Sequence, residues 1–350
     1  MKKILYKIFS DSWSWGLIVK QLLKELDTEF FFTKDEKETD YAVLFLQQIT
    51  LLKFVSAKDY VKTICRLGGN RTFSGDEMRY KNLMENVHSI IATNKYLYEI
   101  GKRANPRTYL IPNGLDLDEW KPVKPKRGRT KFIAGFVGNV STPEYRDHKG
   151  YDLVIDACKQ TGIELISALY GENQIPHEKM QSEFYHKISV LIHPTKSEGC
   201  SNTIMEALAC GVPVITTRTA GYHGEMLKDS KNVLFCERTV ESIVDCINRL
   251  KDDKKLFNKL KKESRKFAEQ HHDIKSIAEQ YKQVFNQCIK DNEKLNQQML
   301  KDQETQVKIR ALRSCFIENY GLLKKGEEMQ VSLLLAKRLG NEYVEIINEG

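Results

Sequence analysis

No run of this 350-residue chain stays apolar for the roughly 20 residues a bilayer-spanning helix needs, which rules out an integral membrane protein. The first ten residues hold only a short apolar patch broken by Lys7 and lack a small-residue cleavage site, so a cytoplasmic protein without a secretory leader is expected. None of the eight cysteines falls in a C-x-x-C pair, and most interrupt apolar stretches as small buried residues do. That pattern predicts a reducing compartment and no structural zinc. The G-x-x-x-x-G-K-S/T phosphate loop and the Ser-centred nucleophile elbow are also missing, which removes two common kinds of transfer and hydrolysis chemistry.

What is present is the composition of a soluble globular protein, 41% hydrophobic and 29% charged, at a length that suggests about two domains. The net charge of +8 is unevenly placed. Residues 121–131 contain Lys121, Lys124, Lys126, Arg127, Arg129 and Lys131, two prolines and no acid, so six of the eight net charges sit in one short strip. A general nucleic-acid coat would spread its charge along the chain. Three readings of the strip remain: a solvated hinge, an anionic membrane contact, or a nucleic-acid contact.

Periodicity predicts α/β structure in both halves. Strand Ile4 to Phe9 followed by helix Leu17 to Leu26 opens the chain, and short buried strands follow at Tyr41 to Leu46, Tyr60 to Cys65 and Val87 to Ala92. After Ile111-Pro112-Asn113-Gly114 a second series begins at Phe132. It has helices at Tyr151 to Gln160, Glu178 to Lys187 and Asn202 to Cys210 between strands at Glu164 to Leu169, Val190 to His193 and Val212 to Thr216. Strands alternating with helices of this length imply a parallel sheet. The expected organisation is an N-terminal α/β domain over 1–120, a basic linker over 121–131 and a second domain over 132–290. A polar linker from Asp291 to Gln303 then leads to a small β-containing appendix over 303–350.

The chemistry concentrates between His193 and Ile215. There Ser197-Glu198-Gly199 precedes a predicted helix containing Met205-Glu206-Ala207, and a buried strand follows. The first amides of a helix lack helical partners and carry the positive end of its dipole, so the start near Ser201 to Thr203 can hold a diphosphate. Glu206, about one turn in, can accept hydrogen bonds from a ribose diol, and Glu198 from sugar hydroxyls.

Two glutamates separated by seven residues in this setting resemble the signature of the GT-B-fold retaining glycosyltransferases of family 4. Ile111 to Asp116, Val137-Gly138 with Lys149-Gly150, and Ala220-Gly221-Tyr222-His223-Gly224-Glu225 agree with it in order. The resemblance implies two Rossmann-like domains facing across a cleft, with a nucleotide sugar, expected to be a UDP-sugar, on the C-terminal domain and the acceptor on the N-terminal one. Carried over by position, Glu198 contacts the donor sugar and Glu206 the ribose. Gly199, Cys200, Ser201, Asn202 and Thr203 contact the phosphates, Lys149 holds the diphosphate, and Gly138 lines the site. Where the family usually has an arginine after Val-Gly, this chain has Asn139; Arg146 is either its substitute or a solvated loop arginine.

The N-terminal part departs from the family: the first loop reads Asp11 to Gly16, and Arg66 lies near an expected histidine. Trp13 and Trp15 either stack on a substrate or pack on the first helix. His193 reads as a structural histidine closing a strand, and His148 as a possible phosphate contact. Asp116-Leu117-Asp118 matches a D-x-D metal motif but is rejected as one, because a helix terminus and a lysine neutralise phosphates without a divalent ion. The expected activity is therefore metal-independent hexosyl transfer with retention, from a nucleotide sugar to a hydroxyl on a glycan or lipid-linked acceptor. The alternatives are transfer to hydroxymethylated bases in DNA, prompted by the strip and by an appendix that resembles terminal modules of tailed-phage proteins, and a catalytically silent binding relative.

Overall fold

The computed structural model describes residues 2–7, 14–35, 40–47, 49–69, 77–122, 131–317 and 321–347. The four inner charges of the basic strip and Trp13 lie outside the described residues, as does the side chain of Trp15. The chain divides into two compact units, Met1–Asn286 and Gln287–Gly350.

The first unit contains two parallel sheets. One has six strands in the order Phe30–Thr33, Lys2–Lys7, Val43–Leu46, Thr63–Leu67, Ser89–Ala92, Thr108–Leu110. The other has five, ordered Leu234–Phe235, Val214–Thr216, Val190–His193, Ile133–Asn139, Glu164–Tyr170. These are the two Rossmann-like domains of a GT-B fold.

Side chains alternate across a strand, and a parallel sheet buries both faces, so each strand reads as nearly continuous apolar sequence. In the second sheet Ile133, Val137, Leu191 and Val214 pack into one core, whereas Ala134, Phe136, Val190, Ile192 and Ile215 pack into the core on the opposite face. Several helices start where short polar side chains satisfy their free amides. Asn94 accepts from Leu97 N–H, Thr142 from Tyr145 N–H and Ser201 from Ile204 N–H.

Three stretches differ from the sequence-based expectation. The strand expected from Tyr60 to Cys65 is shifted, because a 3-10 turn occupies Ala57–Lys62 and the strand runs over Thr63–Leu67. The expected helix from Glu178 to Lys187 is a single turn, His177–Met180, that widens into a π turn over Gln181–Tyr185. The widened turn places Phe184 and Tyr185 side by side in the core.

The expected linker from Asp291 to Gln303 is instead part of a continuous helix, Ile274–Glu304. Its opening half explains the continuity. Ile274, Ile277, Ala278, Tyr281, Val284 and Phe285 are buried at helical spacing, and Phe285 meets Phe30 and Phe45 of the first sheet at ring distances of 5.7 and 5.6 Å. The chain thus returns to the N-terminal domain, so residues 274–286 do not belong with the second sheet as the expected 132–290 domain had them.

In the second unit, strands Glu328–Ser332, Gln306–Ala311 and Val344–Ile347 form an antiparallel sheet under helix Leu333–Leu339, and Arg310 pairs with Glu328 and Glu345 across the strands. No described helix is long and apolar enough to cross a membrane.

Phe285→Ala removes a fully buried ring that ties the returning helix to the first sheet, and should lower the unfolding free energy by about 3–5 kcal/mol in urea titrations followed by circular dichroism.

Candidate functional site

In the second sheet the first and third strands in sequence, Ile133–Asn139 and Val190–His193, lie side by side. Open parallel sheets bind ligands beyond the carboxyl ends of the strands at such a switch point. Gly138 and Asn139 end one strand and His193 ends the other.

The loop leaving His193 is held against the end of helix Pro143–Lys149 by several bonds. Arg238 donates from Nε to Pro194 O at 2.9 Å and from Nη2 to Asp147 O, while Lys196 pairs with the Asp147 carboxylate. His148 Nε2 donates to Ser197 O at 2.9 Å, and Lys196 N–H donates to His148 O at 2.9 Å. Gly150, at φ 72°, closes the helix in the left-handed conformation that glycine adopts without a Cβ clash. Lys149, just before it, therefore points at the loop.

Its ammonium pairs with Glu198 Oε1. The same oxygen accepts from His193 Nε2 at 3.1 Å and Thr195 Oγ1 at 3.3 Å. Burial alone would raise the Glu198 carboxyl, but the Lys149 charge and the His193 hydrogen bond outweigh it and hold the group well below the usual carboxylate range. Burial also lowers His193. The neutral ring donates from Nε2, and its buried Nδ1 has no protein partner among the described residues. His193 is thus more than a strand-closing residue: it shares the glutamate with Lys149.

Helix Asn202–Ala209 carries Glu206 on its buried side. One carboxylate oxygen accepts from Tyr185 OH at 2.7 Å, and the other lies 3.1 Å from His177 Nε2. A carboxylate has about four lone-pair positions, so acceptor capacity is left for a diol. Burial lowers the His177 imidazole, but Glu206, together with Glu119 and Glu178, outweighs it and raises the pKa above its ordinary 6.5.

Two glycines make the approach to the helix start possible. A Cβ on Gly199 would overlap the Gly68 carbonyl oxygen of the N-terminal domain, and one on Gly221, at φ 60°, would overlap the carbonyls of Glu198 and Gly199. Tyr222 N–H and Asn94 Nδ2 both donate to Gly199 O, at 2.8 and 3.0 Å. Asn113 Nδ2 donates to Cys200 O at 3.0 Å and Asn202 Oδ1 at 2.7 Å. Glu225 accepts from the Lys95 and Tyr96 amides, at 2.8 and 3.3 Å, at the start of helix Lys95–Ala104. Backbone and side chains of both domains thus meet at residues 198–202.

Of the residues singled out in the sequence, Lys149 and Glu198 pair directly, and Glu206 lies on the helix that follows residues 199–201, with Tyr185 and His177 as its own partners. Gly138 lies behind Lys149, where an added Cβ would sit 3.4 Å from Lys149 Cγ. Asn139 Oδ1 accepts from the amide and hydroxyl of Ser141 at 2.9 and 2.7 Å. Arg146 is neither a solvated loop residue nor directed at the glutamates. It is helical, its Nε donates to both Asp152 oxygens at 2.9 and 3.0 Å, and its guanidinium lies 4.7 Å above Tyr151. Arg66, buried at the end of its strand, donates to Asn113 Oδ1. Asp116 Oδ1 accepts from the Asp118 and Glu119 amides, and Asp118 pairs with Lys275 at 2.7 Å, so both carboxylates of the D-x-D stretch have local structural partners. His177, Tyr185, Thr195 and Asn94 were not singled out beforehand, and no local motif marks them.

Two Rossmann-like domains, the second with a lysine–glutamate pair beyond the carboxyl ends of its strands, define a GT-B class of fold. Residues 172–267 match the model of the family described as "Glycosyl transferases group 1". An uncharacterised glycosyltransferase of Methanocaldococcus jannaschii is 28% identical over 194 residues, 48% of this chain and 52% of that protein. The capsular polysaccharide biosynthesis glycosyltransferase CapM of Staphylococcus aureus is 23% identical over 144 residues, 36% of this chain and 38% of CapM. The chain thus spans about half the length, or less, of these curated relatives. Among solved structures, Anabaena HepE in complex with UDP-glucose superposes with a TM-score of 0.67 at 17% identity, covering 82% of this chain and all of that one.

Two outcomes follow from the geometry. Gly199→Ala, which drives a methyl into the Gly68 carbonyl, should separate the two domains locally and lower the unfolding free energy by about 1–3 kcal/mol, read in urea titrations. The raised His177 pKa means that its pairing contributes stability fully below about pH 6.5 and loses it as pH rises through the folded-state value. His177→Ala should therefore cost on the order of 1 kcal/mol near pH 5.5 and markedly less near pH 9, measured as the difference in Tm from wild type.

Proposed function

We propose that the chain is a retaining, family 4-like glycosyltransferase that moves a hexosyl group from a nucleotide sugar, with UDP-sugar as the donor, to a hydroxyl of a carbohydrate or lipid-linked acceptor. One observation carries the reading: Glu198, at the end of the loop that leaves the switch-point strand, is paired with Lys149 and His193, and the helix that follows carries the buried Glu206. The group 1 match over residues 172–267 covers this helix. The UDP-glucose named for HepE supports the donor, and the capsular polysaccharide named for CapM supports a carbohydrate acceptor.

In this reading the diphosphate lies over the amides at the start of helix Asn202–Ala209, with the Lys149 ammonium beside it. As the bond from the anomeric carbon to the diphosphate oxygen breaks, negative charge grows on the leaving group, and the amides and Lys149 stabilise it. The acceptor hydroxyl attacks from the same face and passes its proton to the departing phosphate oxygen, which gives retention without a side-chain nucleophile. Glu198 accepts hydrogen bonds from the sugar hydroxyls and Glu206 from the ribose. His193 and Thr195 orient the first of these carboxylates, Tyr185 and His177 the second. Charge neutralisation by amides and a lysine asks for no added Mg²⁺ or Mn²⁺ at the diphosphate.

The two glutamates should separate in their effects. Glu206→Ala should weaken UDP binding by about tenfold or more, since a hydrogen bond to a charged group contributes about 1.5–3 kcal/mol. Glu198→Ala should leave UDP affinity nearly unchanged while lowering transfer and sugar discrimination. Calorimetry with UDP and transfer from radiolabelled UDP-glucose measure these quantities. Equal loss of UDP affinity in both variants would contradict the division of roles, and wild-type protein that binds no UDP, GDP or ADP sugar would remove the proposal. Running plain and hydroxymethylated DNA beside glycan acceptors tests the basic strip in the same assay, and donor hydrolysis without acceptor separates an enzyme from a silent relative.

A further inference from the structure

Behind the loop that carries Glu198 lies a group of side chains that the transfer reaction does not use. Cys200, His223 and His272 are all buried, and among the described residues they bring one ligand atom each to within 4.8 Å of one another. They come from three places in the chain: the residue before the N-cap of helix Asn202–Ala209, the turn after Gly221, and the end of helix Lys254–His271. Their neighbours Leu115, Tyr222 and Phe267 form an apolar core, an environment in which two imidazoles and a thiol need a reason to be buried.

The orientation of the group is set from outside it. His272 Nδ1 donates to the Asn113 carbonyl at 2.8 Å, which leaves the His272 Nε2 lone pair facing His223. The two Nε2 atoms are 3.1 Å apart. Two nitrogens bound tetrahedrally to one zinc ion at about 2.0–2.1 Å stand roughly 3.3 Å apart, so the pair is already near that separation. Asn113 also donates from Nδ2 to the Cys200 carbonyl at 3.0 Å. One residue thus holds two of the three groups, the His272 imidazole through its carbonyl and the Cys200 backbone through its side chain, as outer partners of metal ligands do. Burial holds both imidazoles neutral, His272 down to about 4. Burial pushes the free Cys200 thiol up to about 12, a cost a divalent ion overcomes by displacing the proton.

We propose that Cys200, His223 and His272 form a buried transition-metal site, with one thiolate and two imidazole Nε2 ligands, suited to zinc. A soft thiolate with two imidazoles selects zinc over magnesium or calcium, and three protein ligands leave the fourth tetrahedral position to a water. The ion would tie the Glu198 loop, the Gly221 turn and the interdomain crossing at His272 into one rigid point. It is separate from the diphosphate, and the inference stands or falls independently of the proposed activity.

The test is metal content. Full-length protein, expressed in zinc-supplemented medium with a non-histidine tag and freed of loosely bound ions by gel filtration, should retain about one zinc per chain by mass spectrometry. Cys200→Ala and His272→Ala should each lose it. Cobalt(II) loaded into metal-stripped wild type should give the intense visible bands of a tetrahedral site and a thiolate charge-transfer band that Cys200→Ala lacks. Folded wild type that holds less than about a tenth of an equivalent of zinc and gives no cobalt spectrum would overturn the site and leave a neutral hydrogen-bonded imidazole pair in its place. Zinc retained undiminished by Cys200→Ala would overturn it equally, because the ion would then sit elsewhere. The wild-type measurements decide the matter even if a variant fails to fold.

Discussion

The buried side chain of Asn113 is the joint on which the cleft depends. Its Oδ1 accepts from Arg66 at the end of a strand in the first sheet, and its Nδ2 donates to Cys200 O and Asn202 Oδ1 at the helix start of the second. Its carbonyl receives His272, at the point where the chain turns back. A buried amide with every partner in place fixes one geometry, whereas leaving a partner unmatched costs about 1–3 kcal/mol, so the network tolerates few alternative domain placements. The apolar packing around it is permissive by comparison. Around Asn113 the two crossings of the chain are stitched together: Leu115 N–H donates to His272 O, Ile274 N–H to Leu115 O, and Arg265 donates to the carbonyls of Trp120, Leu117 and Ala209.

From that joint outward, the site is a set of charges placed by backbone geometry. Helix Asn202–Ala209 starts where Ser201 caps it, and the loop before it can lie against the first domain because Gly199 has no side chain. Lys149 reaches Glu198 because Gly150 ends its helix abruptly and Asp147, Lys196 and Arg238 clamp the loop alongside. Without a ligand the lysine and the glutamate neutralise each other. On the proposed reading, a diphosphate entering beside Lys149 would compete for its ammonium and so would couple donor binding to the position of the Glu198 carboxylate. Electrostatic groups fixed before the reaction need no rearrangement during it, and this is what a charge-separating transfer asks of its enzyme.

The domain that would receive the acceptor is the less conventional half. Its sheet is regular and fully parallel, yet the position near which a histidine was expected holds Arg66, spent on Asn113 and on Tyr281 of the returning helix. Among the described residues, the N-terminal domain meets the second domain through Asn94 and the amides of Lys95 and Tyr96, bonded to Gly199 and Glu225.

The amino-acid sequence by itself determined what depends on short-range pattern. Strand and helix alternation followed from apolar periodicity, and the Glu198–Glu206 pair stood out because a loop, a helix start and a strand lie within about twenty residues of one another, whereas Lys149 came only with the family resemblance. What depends on contacts between distant segments was decided only in three dimensions. Tyr185 reaches Glu206 from a π turn that periodicity reads as plain helix, His177 from the turn before it, and His193 turns from a strand end into a partner of Glu198. Residues 291–303 look like a linker because their faces are polar, yet they extend a helix whose start is anchored by Phe285 and Tyr281 on the first sheet. Cys200, His223 and His272, at separations that match no ligand motif, meet only because two crossings of the chain converge on Asn113. Local sequence encodes backbone period and capping, whereas the pairing of side chains far apart along the chain is settled by how the sheets and returning helix pack.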